Sequence, residues 1–166
     1  MKKIMEMLQN MKAKKEQKDN RGFSLVELII VIAIMAILVG IVGTQVIPYL
    51  GKSKASKDQQ VLNSFSTAAV TAYSENAESM PTTGSLTVNV YGSNTKDSAE
   101  AKLAEAIKTN TGYATKDELV KQFASDAKTM TSDIVITIDI DNHNVTTSIS
   151  YSGTPKYKVA DVKATL

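Results

Sequence analysis

The sequence predicts an α+β protein in which one long N-terminal helix, membrane-spanning in its first half and amphipathic in its second, packs on a small antiparallel sheet. Three observations predict it. Residues 28–47 form twenty positions without a charged side chain, about 30 Å as a helix, which matches the hydrocarbon thickness of a bilayer. From residue 52 to 76 the composition turns polar, yet Val61, Leu62, Phe65, Ala68, Ala69, Ala72 and Tyr73 recur at spacings of three, four and seven, an apolar stripe on one helix face. Residues 133–141 alternate, with Ile134, Ile136, Ile138 and Ile140 set against Val135, Thr137, Asp139 and Asp141, as a strand with one buried face does.

The elements follow in order from the N-terminus. Residues 1–22 hold seven Lys/Arg against three Asp/Glu, whereas residues 23–166 hold twelve lysines against fourteen acids, so the formal charge of +2 hides a basic leader and a weakly acidic remainder. Positive charge flanking an apolar run is retained in the cytoplasm, which puts residues 1–22 inside and residues 49–166 outside as an extracytoplasmic head. A secretory signal peptide is the competing reading, but its apolar core is usually about 7–15 residues and ends at a small-residue cleavage site. Here the core is longer and no A-x-A site follows. The length of 166 residues suits one compact domain beside a membrane segment. With no cysteine, disulfides, thiolate metal sites and a cysteine nucleophile are all excluded.

Inside the apolar run, the one ionisable side chain is Glu27, near its start. A carboxylate in hydrocarbon costs roughly 2.5–3.5 kcal/mol on insertion scales, so its place there asks for a partner. Further along, Gly40, Gly43 and Pro48 weaken the helix, because glycine costs about 1 kcal/mol relative to alanine in a helix interior and proline about 3. Residues 40–51 are therefore the expected weak point, where the helix extends or melts; close helix packing through small residues is the alternative.

The residues Arg21-Gly22-Phe23-Ser24-Leu25-Val26-Glu27, with a basic leader before them and the apolar run after, resemble the prepilin signature of type IV pilins and related pseudopilins. The resemblance covers about the first 50 residues. It implies that a prepilin peptidase cuts between Gly22 and Phe23 on the cytoplasmic side and N-methylates the new terminus at Phe23, leaving residues 23–48 as the transmembrane and assembly helix. Glycine suits such a site, since it offers no side chain to obstruct a protease and lets the backbone extend. The resemblance further implies that Glu27 pairs with the Phe23 amine of a neighbouring subunit and sets the register of a helical filament. Many members carry a proline late in the apolar run; here Thr44 and Gln45 stand there and the first proline is Pro48, which displaces the break toward the membrane edge. Many also close the C-terminal region with a disulfide, and a chain without cysteine must hold its tail by strand pairing instead.

On this resemblance the expected function is that of a structural subunit, a major pilin of a type IV pilus and not an enzyme. It would sit as a single-pass protein in the cytoplasmic membrane before assembly and on the bacterial surface afterwards. The implied partners are copies of the same chain, the prepilin peptidase, the pilus assembly platform, minor pilins and the membrane. A minor pilin or a pseudopilin of a type II secretion or DNA-uptake system keeps the same architecture, and a membrane-anchored binding module that never polymerises is the reading from another class.

In the head, residues 85–91 alternate as a short strand after the Pro81–Gly84 break, residues 98–108 read as a short helix, and Thr115 with Glu118 forms a capping box that opens a second helix through about residue 128. Residues 144–151 pair with 133–141 through a turn near Asn142-His143-Asn144, and residues 157–162 offer a last strand. Asp139, Asp141 and His143 look superficially like a calcium loop, but an EF-hand needs a glycine after His143 and a bidentate glutamate at the twelfth position, where Asn144 and Ser150 stand. One histidine and no cysteine leave no convincing zinc or Ser-His-Asp arrangement, and Gly51-Lys52-Ser53 lacks the rest of a P-loop, so no cofactor and no metal are expected. No nucleic-acid partner is expected either, because the lysines beyond the leader are dispersed apart from Lys52, Lys54 and Lys57, which read as interfacial anchors.

Overall fold

The computed structural model describes residues 2–16 and 23–166. The chain divides into two compact units, the first ending at Val46 and the second running from Ile47 to Leu166. In the first, α1 (Lys2–Glu16) lies in the leader and α2 (Leu25–Ile41) carries the apolar run, followed by a π-helical turn over Val42–Val46. The large apolar side chains of α2 are all exposed, from 45% at Ile41 to 73% at Leu25, and they surround the helix rather than line one face. Such a helix is incomplete until lipid or other helices cover it. At the π turn Thr44 Oγ1 donates to the Gly40 carbonyl at 2.9 Å, the back-bond by which threonine accompanies a loosened helix.

The second unit is built on α3 (Ile47–Glu75), which packs on a four-stranded antiparallel sheet of order β1-β2-β3-β4. The strands are β1 (Ser85–Asn89), β2 (Thr131–Asp139), β3 (Asn144–Tyr151) and β4 (Val162–Thr165). Ala55, Leu62, Phe65, Ala69 and Ala72 of α3 are buried against Ile134, Ile136, Ile138 and Val145 of the sheet, so the two apolar periodicities close on one another. Register follows the pattern: Leu86 lies opposite Ile138, Ile136 opposite Thr147, and Thr147 opposite Val162. The Phe65 ring stacks on Tyr113 with centroids 6.0 Å apart and meets Tyr91 edge-on at 6.4 Å.

Three expectations need correction. The helix opened by Thr115 stops early: its capping box forms, but α5 covers only Lys116–Val120 and a separate turn, α6, covers Ala127–Met130. The interruption is held by the buried Asp58 of α3, whose two carboxylate oxygens accept the N–H groups of Ala124 and Ser125 at 2.8 Å each, bonds that a continuous helix would have kept for itself. The last strand lies at 162–165 rather than 157–162, because side chains capture the earlier N–H groups: Asp126 accepts from Lys156 at 2.9 Å and from Tyr157 at 3.4 Å, and the Tyr151 hydroxyl accepts from Val159 at 3.1 Å. The hairpin turn takes residues 140–143 rather than 142–144, so Asp141 sits in the turn with His143 and not on the strand. The helix expected at 98–108 is α4 (Ala99–Thr111), ending three residues later, capped by Ser98 and closed by Gly112 at φ 75°, a left-handed conformation that favours glycine. The tail is held without a disulfide, by β4 pairing along β3 and by the Leu166 N–H donating to the His143 carbonyl at 2.9 Å.

Gly51 has a packing role that the sequence did not disclose. A Cβ built on it would fall inside contact distance of the Tyr157 ring, 2.6 Å from Cζ, so the ring lies directly on the helix backbone. Gly51→Ala is expected to displace Tyr157 and to cost about 1–3 kcal/mol, the range for overpacking. Thermal unfolding checks this, and the penalty should largely vanish when Tyr157→Ala is already present.

Candidate functional site

The N-terminal segment is built by a capping box. Ser24 stands before the helix in an extended conformation (φ −63°, ψ 138°), and its Oγ accepts from the Val26 N–H at 3.3 Å. Glu27 reaches back from the first turn, and its Oε2 accepts from the Ser24 N–H at 2.9 Å. The arrangement satisfies N–H groups that every helix start leaves open, and it puts negative charge at the positive end of the helix dipole. An ionised carboxylate can accept bonds at two oxygens, so the cap leaves Glu27 capacity for a further donor. Phe23, immediately before the cap, is 86% exposed. Gly22 lies outside the described residues. Gly43 falls within the π turn, Gly40 one residue before the end of α2, and Pro48 in the first turn of α3. A Cβ on Gly40 or Gly43 would meet nothing within 4 Å.

In the head, the acidic side chains are engaged in the fold. Asp139 accepts from Asn142 at both oxygens, from the backbone N–H at 3.0 Å and from Nδ2 at 2.8 Å, and Asp141 accepts from the Gly84 N–H at 3.0 Å. The Asn142 side chain, followed by its backbone N–H, holds the Asp139 carboxyl below the usual aspartate range. Among the described residues, no group of three or more His, Cys, Asp or Glu side chains is placed to hold a metal ion. Asp133, buried where β2 carries a register shift, accepts from the N–H groups of Tyr91 at 2.8 Å and Ile134 at 2.7 Å.

Two phenols titrate high. Burial, reinforced by the Asp133 charge, raises Tyr91, whose hydroxyl donates to the Tyr113 carbonyl at 2.9 Å; burial also raises Tyr151, although the hydrogen bond from the Val159 N–H opposes it. Because the folded values lie above that of an unfolded tyrosine, near 10, the unfolded chain loses these protons first as pH rises. Stability from the two groups is therefore fully present below about pH 10 and falls above it. Urea midpoints of the detergent-solubilised chain should decline across that alkaline range, and a Tyr91→Phe, Tyr151→Phe variant should decline less.

Asp58 is the side chain that sequence reasoning missed, although its spacing from Ala55, Leu62 and Phe65 continues the apolar stripe.

A family model described as the prokaryotic N-terminal methylation motif matches residues 17–43, which contain Gly22, Phe23, Ser24 and Glu27. No curated protein and no solved structure matches the chain. The helical run from Leu25 to Glu75 is long and apolar enough to cross a membrane, which together with the motif supports membrane anchoring. Pilin-type proteins are structural and non-enzymatic in kind. The methylation motif, on a chain whose long helix packs against a small four-stranded antiparallel sheet, supports a type IV pilin-like family.

Proposed function

We propose that this chain is a major pilin, the structural subunit of a type IV pilus. It is cut between Gly22 and Phe23 by a prepilin peptidase, N-methylated at Phe23, and polymerised through α2 with the help of an assembly platform and minor pilins. The observation that carries this reading is the apolar surface of α2, exposed on every side and beginning at a motif for N-terminal methylation. An anchor alone would need such a surface only for lipid; a filament reuses it, exchanging lipid for neighbouring helices. Glu27 supports the same reading, because its free acceptor capacity suits the Phe23 amine of an adjacent subunit, where desolvation would turn an ion pair into a register mark. Gly40, Gly43 and Pro48 would serve as the place where the helix loosens on packing, and the π turn at Val42–Val46 lies among them.

Processing is tested by co-expression with a prepilin peptidase. The wild-type chain should lose the mass of residues 1–22, whereas Gly22→Val, which sets a β-branched side chain at the scissile bond, should remain full length. Equal cleavage of both would remove Gly22 from the site.

A further inference from the structure

We infer that the head carries a binding groove for an anionic phospholipid headgroup at the start of α3. The groove, about 350 Å³, lies between α3 and the segment before β4, and Lys52, Ser56 and Gln59 line it from the helix while Lys156, Tyr157 and Lys158 line it from the segment. No aspartate or glutamate lines it. Among the described residues the one ion pair is Lys108–Glu105, so the three lysines that line the groove have no carboxylate partner. Three cations around one concavity repel each other, and a phosphate diester relieves that repulsion while the Ser56 hydroxyl and Gln59 amide supply further donors.

The segment is fixed rather than loosely draped. Asp126 accepts from the N–H groups of Lys156 and Tyr157, and the Tyr157 ring is seated on Gly51. Lys156 and Lys158 therefore flank an immobilised aromatic ring, and Lys156 Nζ lies 5.5 Å from its centroid.

Position selects the lipid over other anions. Lys52 is the first charged residue after Glu27 and directly follows the uncharged residues 28–51, so it stands at the end of the stretch suited to hydrocarbon, where lipid headgroups begin. A second groove that shares Tyr157 is lined by Ile47 and Leu50, both more than half exposed, together with Lys54 and Asp126, and its apolar side chains offer a neighbour for the glycerol end of the same molecule. Tyrosine with lysines is the side-chain chemistry of a membrane interface. The inference rests on the membrane anchoring of the apolar helix but not on polymerisation.

The full chain is reconstituted in nanodiscs of phosphatidylcholine alone or of phosphatidylcholine mixed with phosphatidylglycerol, and lysine acetylation rates are read by mass spectrometry. Lys52, Lys156 and Lys158 should react about threefold or more slowly in the anionic discs, with Lys96 and Lys116 unchanged and the protection weakening as salt rises. In a Lys156→Gln, Lys158→Gln variant the protection of Lys52 should fall. Equal rates in both discs would overturn the inference, as would protection of Lys52 that ignores the double substitution. Protection by inorganic phosphate in the neutral discs would assign the groove to free anions instead of lipid, and protection seen only in assembled fibres would assign it to a neighbouring subunit. Failure of the chain to co-elute with discs would overturn the anchoring on which the inference depends.

Discussion

Glu27→Ala is expected to leave cleavage after Gly22 intact while cutting the yield of surface filaments by more than about tenfold, because removing one partner of a desolvated ion pair costs roughly 3–5 kcal/mol. Two roles of Glu27 have to be separated, since the same carboxylate also closes the capping box with Ser24. Glu27→Gln separates them. The amide oxygen still accepts from the Ser24 N–H and preserves the helix start, but it carries no charge to hold a neighbouring amine. Processed chain in the membrane with few filaments is therefore the expected phenotype for both variants, counted by immunoblot of sheared and membrane fractions. Normal filaments from Glu27→Gln would reduce Glu27 to a cap residue and remove it from filament register.

Asp58→Ala is the substitution expected to damage the head most, by about 3 kcal/mol, since it strips the acceptor from two backbone N–H groups in a half-buried turn. Asp58→Asn keeps an acceptor for one of them and should cost about 1 kcal/mol. The expected signature is local: amide exchange should rise first at Ala124 and Ser125, before the sheet loosens. Unchanged exchange there in Asp58→Ala would show that the break between α5 and α6 is set by its own sequence and not by the helix beneath it.

The sequence made some of this architecture visible and concealed the rest for identifiable reasons. The long helix, the Ile134–Ile140 alternation and the capping residues Ser98 and Thr115 were legible because each depends on local periodicity or local hydrogen bonding. The length of α5 was not, because what ends it is a carboxylate sixty-six residues away. The fourth strand was misplaced for the same reason: residues 157–162 alternate well enough, but Asp126 and Tyr151 take their N–H groups, and pairing with β3 begins only at Val162. At the N-terminus Gly22, Phe23 and Glu27 stand in a linear motif, readable without a fold. The capping box of Ser24 and Glu27 was readable too, from the spacing S-x-x-E before an apolar run, but the cost of an acid in hydrocarbon drew attention to an intermolecular partner and away from the intramolecular one.

Whether this chain is processed and becomes a surface fibre is decided by intact mass and N-terminal peptide analysis of protein sheared from the cell surface. The sheared fibres should contain a chain of residues 23–166 beginning with methylated Phe23. A chain that retains residues 1–22 and is found only in membranes would contradict it and leave a single-span anchor in place of a pilin.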